Sequence, residues 1–182
     1  MTIRRPDPRE EPAARANDPL ALAVWIRPYR DDDQTAVRGL VYRILDEFGL
    51  VADHVGRDAD LEDIERHYRL HGGEFWVVEN ARGEIVGSGG VMFDPDDPTL
   101  SLLHKMYLDG SLRGRGLGRQ LLGLALDHAR RAGRTRMELE TASVLTAAIG
   151  LYEHNGFVEM DARPSGRCDR RFGMNLQQEN TA

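Results

Sequence analysis

The stretch SLRGRGLGRQLL, Ser111–Leu122, places three glycines at alternate positions among three arginines, immediately before an apolar helical pattern. Glycine lacks a Cβ atom, so a ligand can closely approach the backbone N–H groups of such a segment. The first N–H groups of a helix have no partner within the helix, and together with the helix dipole they favour an anion. The pattern therefore predicts a site for a phosphate-bearing ligand where this helix begins.

Two better-known phosphate loops do not fit the stretch. A Walker loop, which needs Gly, four residues and then Gly-Lys-Ser/Thr, does not occur in the chain, and the dinucleotide fingerprint would require glycine at Arg119 or Leu121. A tight turn between a strand and a helix, in which the glycines only relieve backbone strain, is the structural alternative.

Length, charge and cysteine content narrow the class of protein. The chain has 182 residues, which suits one domain, and a formal net charge of -6, which argues against general nucleic-acid binding. No apolar run approaches the ~20 residues of a membrane-spanning helix, and the amino terminus lacks the apolar core of a signal peptide. We therefore expect a cytoplasmic protein without nucleic-acid or membrane partners. Cys168 is the single cysteine and no H-E-x-x-H pattern occurs, so we expect no metal site.

The distribution of apolar residues predicts one domain with a mixed sheet. Residues 1–20 are rich in Pro, Arg, Asp and Glu without periodicity, which predicts a disordered tail before a domain at 21–177 and a short tail at 178–182. Within the domain the predicted order is strand, two helices, three strands, helix, strand, helix and two strands. This order is typical of an α/β or α+β fold with about four helices flanking a mixed central sheet.

The predicted elements have recognisable ends. We expect helices at 31–49, 60–73, 117–133 and 146–156, and strands at 21–29, 74–80, 84–93, 100–108, 136–140, 157–160 and 170–176. An acidic cluster caps the first helix, Asp60 caps the second, and glycines end both. The apolar face of the second helix comprises Leu61, Ile64 and Tyr68, and that of the third comprises Leu117, Leu121, Leu124, Ala125 and Ala132.

Two sequence motifs resemble those of a known family. LRGRGLGRQLL, after the strand sequence HKMYL, resembles the acetyl-CoA motif Gln/Arg-x-x-Gly-x-Gly/Ala of the GCN5-related N-acetyltransferase (GNAT) superfamily, with Arg113 first and Gly116 and Gly118 at the small positions. LYEHNGF, at 151–157, resembles the family's Tyr-Glu-x-x-Gly-Phe ending. The resemblance covers residues 22–177 and implies a single-domain fold whose sheet is splayed at the cofactor strand.

The resemblance implies acetyl-CoA as cosubstrate and assigns residues to it. In the family, the pyrophosphate lies on backbone N–H groups of the glycine loop, and the pantetheine arm pairs with the main chain of the preceding strand. A backbone N–H where the next strand splays away can polarise the thioester carbonyl. The implied cofactor-binding residues are Met106, Tyr107, Leu108, Arg113, Gly114, Arg115, Gly116, Leu117, Gly118 and Arg119. An asparagine common in the family seven residues before the tyrosine is replaced by Leu145.

The resemblance also implies catalytic residues. Tyr152 matches the family tyrosine that protonates the departing thiolate, for which a phenol is a suitable weak acid, although a core tyrosine is the structural alternative. Relatives with a Lys-Met-Tyr strand often carry a glutamate where this chain has Leu102, which leaves the general base open. His104 is our candidate because histidine titrates in the useful range. Glu138, Glu140 and an ordered water are the alternatives.

The expected reaction is transfer of an acetyl group from acetyl-CoA to a primary amine by direct attack in a ternary complex. The acceptor, a small-molecule or protein amine, stays open, as does the oligomeric state, although family members are often homodimers. The residues that could line the acceptor side are Asp46, Glu47, His67, Tyr68 and His71. Acids there would suit a cationic amine.

Two alternative functions belong to other classes. A non-catalytic CoA-binding or regulatory module is supported by the leucine at 102 and opposed by the retained Tyr152. A phosphate-binding domain for another nucleotide would use the glycine loop alone, and it predicts equal binding of ATP and CoA. Lys105, the single lysine of the chain, would either balance the cofactor's charge or cover the sheet edge.

Overall fold

The computed structural model describes residues 19–161 and 166–177, which form a seven-stranded mixed sheet with helices packed against it. The predicted α/β class is confirmed. Residues 1–18 of the tail expected at 1–20, and the tail expected at 178–182, lie outside the described residues. Pro19 and Leu20, which the composition assigns to the amino-terminal tail, begin the first helix of the structure.

The helices and strands alternate along the chain much as the apolar periodicity predicts. The helices are α1 (Pro19–Leu22), α2 (Gln34–Glu47), α3 (Ile64–His67), α4 (Leu117–Arg131) and α5 (Thr146–His154). The strands are β1 (Val24–Pro28), β2 (Glu74–Asn80), β3 (Ile85–Phe93), β4 (Leu100–Leu108), β5 (Arg136–Thr141), β6 (Val158–Met160) and β7 (Arg170–Asn175). Among the described residues no helix is long and apolar enough to cross a membrane.

The sheet has the order β1-β2-β3-β4-β5-β7-β6 and is antiparallel except where β4 meets β5. That parallel pair is short: Leu100–Leu102 lie opposite Arg136–Glu138, and the two strands then part. Beyond this point β5 continues to pair with β7 up to Thr141, and β4 continues to pair with β3 up to Leu108. The splay that the resemblance implies is therefore confirmed, and it lies in the middle of the sheet.

A β-bulge in β4 accompanies the splay. The register between β3 and β4 shifts between Ser88 and Gly90, so that β4 carries one extra residue at Lys105 and Met106. Lys105 has a φ of 51°, the one positive φ outside glycine in the described chain, and its carbonyl accepts a hydrogen bond from Ser88 Oγ at 2.8 Å. A bulge bends its strand and increases the local twist. It lies just past the residues where β4 leaves β5.

Alternating side chains of the strands bury two apolar clusters, one on each face of the sheet. On β2, Trp76 and Val78 face the cluster built with α4 and α5, whereas Phe75 and Val77 face the cluster built with α2. Because both faces are covered, the central strands contain almost no exposed side chain, and the chemistry has to lie at strand ends or in the splay.

The helix predicted at 60–73 is replaced by three short turns. A 3-10 turn at Ala59–Glu62, the single-turn α3 and a second 3-10 turn at Arg69–His71 follow one another. Leu61, Ile64 and Tyr68 are all buried, so the predicted apolar face is right. Asp60 is not the cap: Asp63 accepts the hydrogen bond from Arg66 N, and the chain bends there.

Two smaller predictions hold only in part. Asp33 is the N-cap residue of α2, but its carboxylate binds Arg27 and the Arg30 N–H instead of the helix. On α4 the predicted Leu117, Leu121 and Ala125 are buried, together with Leu122, Leu126 and Ala129. Leu124 is only half-buried, and Ala132 lies beyond the helix end and is exposed.

Candidate active site

The glycine loop turns the chain from β4 into α4 through two left-handed residues. Gly114 and Gly116 have φ values of 73° and 80°, and a Cβ atom added to either would meet nothing within 4 Å. Gly116 is the N-cap of α4 and no side chain caps the helix. The first internal hydrogen bond runs from Gln120 N to Gly116 O at 3.1 Å, so the N–H groups of the first turn have no acceptor within the helix. The loop therefore has open space beside N–H groups that have no acceptor within the helix.

Gly118 serves packing instead. A Cβ atom at Gly118 would lie 3.2 Å from Leu151 Cδ2 and 3.7 Å from Leu108 Cδ1. Its missing side chain lets α4 approach α5 and the end of β4. Of the three alternating glycines, two therefore shape the loop and the third fits the helix against its neighbours.

The three arginines of the loop do not act as one cluster. The Arg113 side chain points away from the loop, and its guanidinium donates two hydrogen bonds to Glu47 on α2, at 2.5 and 2.8 Å. Its Nε donates to the Leu108 carbonyl, and the guanidinium lies over the Phe48 ring. Arg115 is exposed and donates to the Leu22 carbonyl at 3.2 Å, and Arg119 is exposed. The positive charge that faces a ligand at this loop is therefore smaller than the sequence suggests.

A cavity of about 370 Å³ opens where β4 and β5 part. Four of the predicted site residues line it, namely His104, Met106, Tyr107 and Tyr152. The predicted residues from Leu108 to Arg119 are not among its lining. They follow directly at the end of β4, so the cavity and the glycine loop lie along one strand. Leu145, which stands at the asparagine position, lines the cavity as an apolar group.

Tyr152 is almost completely buried in the wall of this cavity. Its ring packs near Phe157 and Phe172, with centroids 5.8 and 6.4 Å away. Burial, with a smaller contribution from Tyr107, raises the pKa of the Tyr152 phenol well above its ordinary value. The hydroxyl is therefore protonated throughout the physiological range, as a proton donor must be before it acts.

His104 is held neutral. Burial lowers the pKa of its imidazole to about 4, and the Lys105 charge acts in the same direction while Asp60 opposes it. Its ring meets the Tyr68 ring edge to face, with centroids 6.5 Å apart. A neutral imidazole can accept a hydrogen bond from an amine, but a pKa of about 4 makes it a weak base.

Lys105 forms a buried ionic network that sequence patterns do not indicate. Its ammonium donates to the Arg57 carbonyl at 2.6 Å and to Asp58 Oδ1 at 2.9 Å, and lies 3.1 Å from Asp60 Oδ1 without hydrogen-bond alignment. Arg167 completes the network through two hydrogen bonds to Asp58, at 2.6 and 2.7 Å. Arg167 and Lys105 lower the Asp58 pKa to about 2 against the effect of burial. The network ties the loop at 53–60 to the bulge of β4.

The two glutamates of the cavity wall, Glu138 and Glu140, also form ion pairs. Glu138 is buried and binds Arg171, with Arg136 at 3.7 Å on its other side. Glu140 accepts from Arg57 at 2.5 Å. The two glutamates considered as general bases are thus carboxylates held by arginine.

The residues suggested for the acceptor side lie outside the lining of this cavity. None of Asp46, Glu47, His67, Tyr68 and His71 lines the cavity. Glu47 holds Arg113, and the Tyr68 hydroxyl donates to Asp60 in the core, where burial raises the Tyr68 pKa. The described lining on this side comes from Leu50, Arg57, Arg167, Cys168 and Arg171. The spacing of residues in the sequence could not predict this group, because the five residues are brought together only by the fold. The single lysine of the chain, Lys105, was the one sequence feature that pointed to this part of the site.

No group of three or more metal-ligating side chains that could hold an ion occurs in residues 19–161 and 166–177. Cys168 is half-buried at the cavity edge, and burial raises the pKa of its thiol. A raised pKa reduces the thiolate fraction, so Cys168 is a poor nucleophile in this setting.

Solved structures share this architecture. A GNAT-family acetyltransferase from Staphylococcus aureus Mu50 aligns over 85% of this chain and 100% of its own, with a TM-score of 0.78 and 28% identity. The acetyltransferase yncA of Salmonella typhimurium, solved with acetyl-CoA, aligns over 87% of this chain and 96% of its own, with a TM-score of 0.67 and 23% identity. At that identity the second likeness concerns the fold alone.

Sequence comparison agrees. The Escherichia coli protein named "Uncharacterized N-acetyltransferase YjgM" is 36% identical over 132 residues, 71% of this chain and 78% of its own length. Human N-acetyltransferase 8B is 35% identical over 104 residues, so the match spans 54% of this chain and 44% of that protein. The sequence profile of the acetyltransferase (GNAT) family matches residues 38–157, which include both motifs and the splayed strands. With fold, motifs and profile in agreement, this chain belongs to the GNAT family of acetyltransferases.

Proposed function

We propose that the protein transfers an acetyl group from acetyl-CoA to a primary amine by direct attack in a ternary complex. The observation that carries the proposal is the coincidence of three features along β4: a bulge, a cavity where β5 parts from it, and a helix start with unpaired N–H groups at its end. The domain that we assign to this activity is 21–177.

The described residues fit acetyl-CoA. Gly114 and Gly116 leave open space beside the first turn of α4, where backbone donors suit a pyrophosphate. Past Leu102 the edge of β4 that faces β5 has no strand partner, which leaves main-chain groups of Met106 and Leu108, apart from the Leu108 carbonyl bound by Arg113, for an extended pantetheine arm. When bound, acetyl-CoA supplies an activated thioester. Arg113 supports this site indirectly, since its pair with Glu47 fixes the loop against α2.

Tyr152 and His104 are the side chains we assign to proton transfer. In the reaction the amine nitrogen forms a bond to the acetyl carbon, the carbon–sulfur bond breaks, and the thiolate takes a proton. Tyr152 supplies that proton because its phenol is protonated and lines the cavity. His104 accepts a hydrogen bond from the attacking amine and orients it, and the amine's proton leaves to water, since an imidazole with a pKa of about 4 does not retain it.

The test is calorimetric titration of the purified protein with acetyl-CoA, with ATP and NAD as controls, followed by a thiol-release assay on a panel of amines. Selective acetyl-CoA binding and amine-dependent release of thiol would support the proposal. Equal binding of all three nucleotides would contradict it. Selective binding without turnover of any amine would favour the non-catalytic CoA-binding module.

A further inference from the structure

The wall of the cavity between β4 and β5 contains more cations than acids. The described basic residues of the lining are Arg57, Lys105, Arg167 and Arg171, and the acidic ones are Glu138 and Glu140. Both acids are already ion-paired, Glu138 with Arg171 and Glu140 with Arg57. The described wall therefore offers no unpaired carboxylate to a cationic acceptor.

The arginines lie in front of two of the acids that balance them. The Arg171 side chain is 40% exposed, whereas that of its partner Glu138 is 6% exposed. Arg167 is likewise the more exposed partner of its pair: its side chain is 10% exposed, and that of Asp58 is 0% exposed. A guanidinium has five N–H donors, and the hydrogen bond of Arg171 within the described chain uses Nη2 alone. Arg171 can thus bind a second carboxylate while it keeps the first.

We propose that the acceptor is a primary amine that also carries a carboxylate, an amino acid or a close relative, and that Arg171 binds this carboxylate. The inference rests on the acetyltransferase activity proposed above. Guanidinium and carboxylate match in geometry and charge, and the pairing is strong where water is partly excluded. The products would be the N-acetyl amino acid and CoA.

The exposed Arg171 guanidinium also affects the amine. Nearby cations lower the pKa of a bound ammonium group, because like charges disfavour the protonated form. The free amine needed for attack then forms without a strong base, which agrees with the weak basicity of His104. A polyamine has no carboxylate to bind Arg171, and the described wall offers its ammonium groups no unpaired carboxylate, so we expect it to be a poor acceptor.

The experiment compares acceptors that differ only in the carboxylate. The full chain with acetyl-CoA is assayed for thiol release with the L-amino acids, β-alanine and γ-aminobutyrate, each beside its carboxamide, and with propylamine and spermidine. We expect the best acceptor to be an acid, with kcat/KM at least tenfold above that of its carboxamide. A best acceptor without a carboxylate, or a panel in which no member is acetylated, would overturn the inference.

Arg171→Gln provides the second arm, with Arg170→Gln as its matched control. Arg170 is the neighbouring residue of β7, pairs with Glu159, and does not line the cavity. We expect Arg171→Gln to raise KM for the acid at least tenfold and to abolish its advantage over the carboxamide, whereas Arg170→Gln changes neither. Equal effects of both variants would overturn the assignment. Failure of acetyl-CoA to bind would overturn the proposed function as well, whereas normal turnover with an acid-to-carboxamide ratio near one would overturn this inference alone.

Discussion

Lys105 combines two features at the scale of a single residue: a left-handed backbone and a buried ammonium group. Its φ of 51° costs free energy for a residue with a side chain, so the surrounding contacts must hold it there. The contacts are those to Asp58, Asp60 and the Arg57 carbonyl. Lys105 is thus a structural residue at the edge of the site, neither a counter-charge for the cofactor nor a cover for the sheet edge.

Lys105→Met should destabilise the protein by about 3 kcal/mol, because it leaves buried carboxylates with one cation fewer. The measurement is the free energy of unfolding in urea. Arg170→Met is the control: it removes a partly exposed ion pair with Glu159 on the same sheet and should cost less than about 1 kcal/mol. Similar losses in the two variants would show that the buried network contributes no more than a surface pair.

Tyr152→Phe should lower kcat about 100-fold, because the proton donor for the thiolate is lost. The affinity for acetyl-CoA, measured by calorimetry, should change little, since the ring and its contacts with Phe157 and Phe172 remain. Tyr42→Phe, which removes a hydroxyl bound to His54 outside the cavity, should leave kcat unchanged. An unchanged kcat in Tyr152→Phe would identify Tyr152 as a core residue only.

His104 should make stability depend on pH between about 6.5 and 4. Its folded pKa is about 4, below the ordinary 6.5, so the unfolded chain binds the proton more readily in this window and stability falls as the pH falls. Since the ring is half-buried, we expect a loss of about 2 kcal/mol. In His104→Gln the urea concentration at the unfolding midpoint should change less between these pH values than it does in the unmodified protein. Asp58 makes stability depend on pH only at lower values, between its ordinary pKa of 3.8 and its folded pKa of about 2.

At the scale of elements, the glycine loop and α4 form one unit at the phosphate site that we propose. Gly116→Val should abolish acetyl-CoA binding, because a β-branched side chain at a φ of 80° distorts the N-cap and enters the open space beside it. Gly123→Ala is the control: it lies within α4, its Cβ meets nothing within 4 Å, and it should stabilise the fold by about 0.5–1 kcal/mol. Unchanged affinity in a folded Gly116→Val protein would refute the placement of the pyrophosphate.

Elements defined by their own periodicity were predictable, and those decided by distant contacts were not. The alternation in β2 and the apolar run of β4 give their bounds directly, at 74–80 and 100–108. The segment 60–73 has the apolar spacing of a helix, yet Asp60 is used by Lys105 and Tyr68, which belong to other parts of the fold. Its backbone therefore bends into short turns to bring that carboxylate inward.

The same distinction applies to the site at the scale of the whole molecule. The glycine loop and Tyr152 were predictable because each lies in a short contiguous motif. Arg57 and Arg171 were not, since they are 114 positions apart in sequence and line one cavity only because each pairs with a glutamate of β5, Arg57 from a loop and Arg171 from β7. The proposed acceptor side therefore depends on tertiary contacts, whereas the proposed phosphate site depends on local sequence.

The short pairing between β4 and β5 has a consequence for cohesion. Residues Leu100–Leu102 and Arg136–Glu138 provide the only backbone ladder between a four-stranded half, β1 to β4, and a three-stranded half, β5 to β7, in the described sheet. A ligand bound in the gap contacts both halves of the sheet, so the melting temperature should rise with the fraction of protein that is bound. A ligand concentration 100 times Kd adds about 2.7 kcal/mol to the free energy of unfolding. Amide hydrogen exchange should slow on both sides of the gap at once when acetyl-CoA is added.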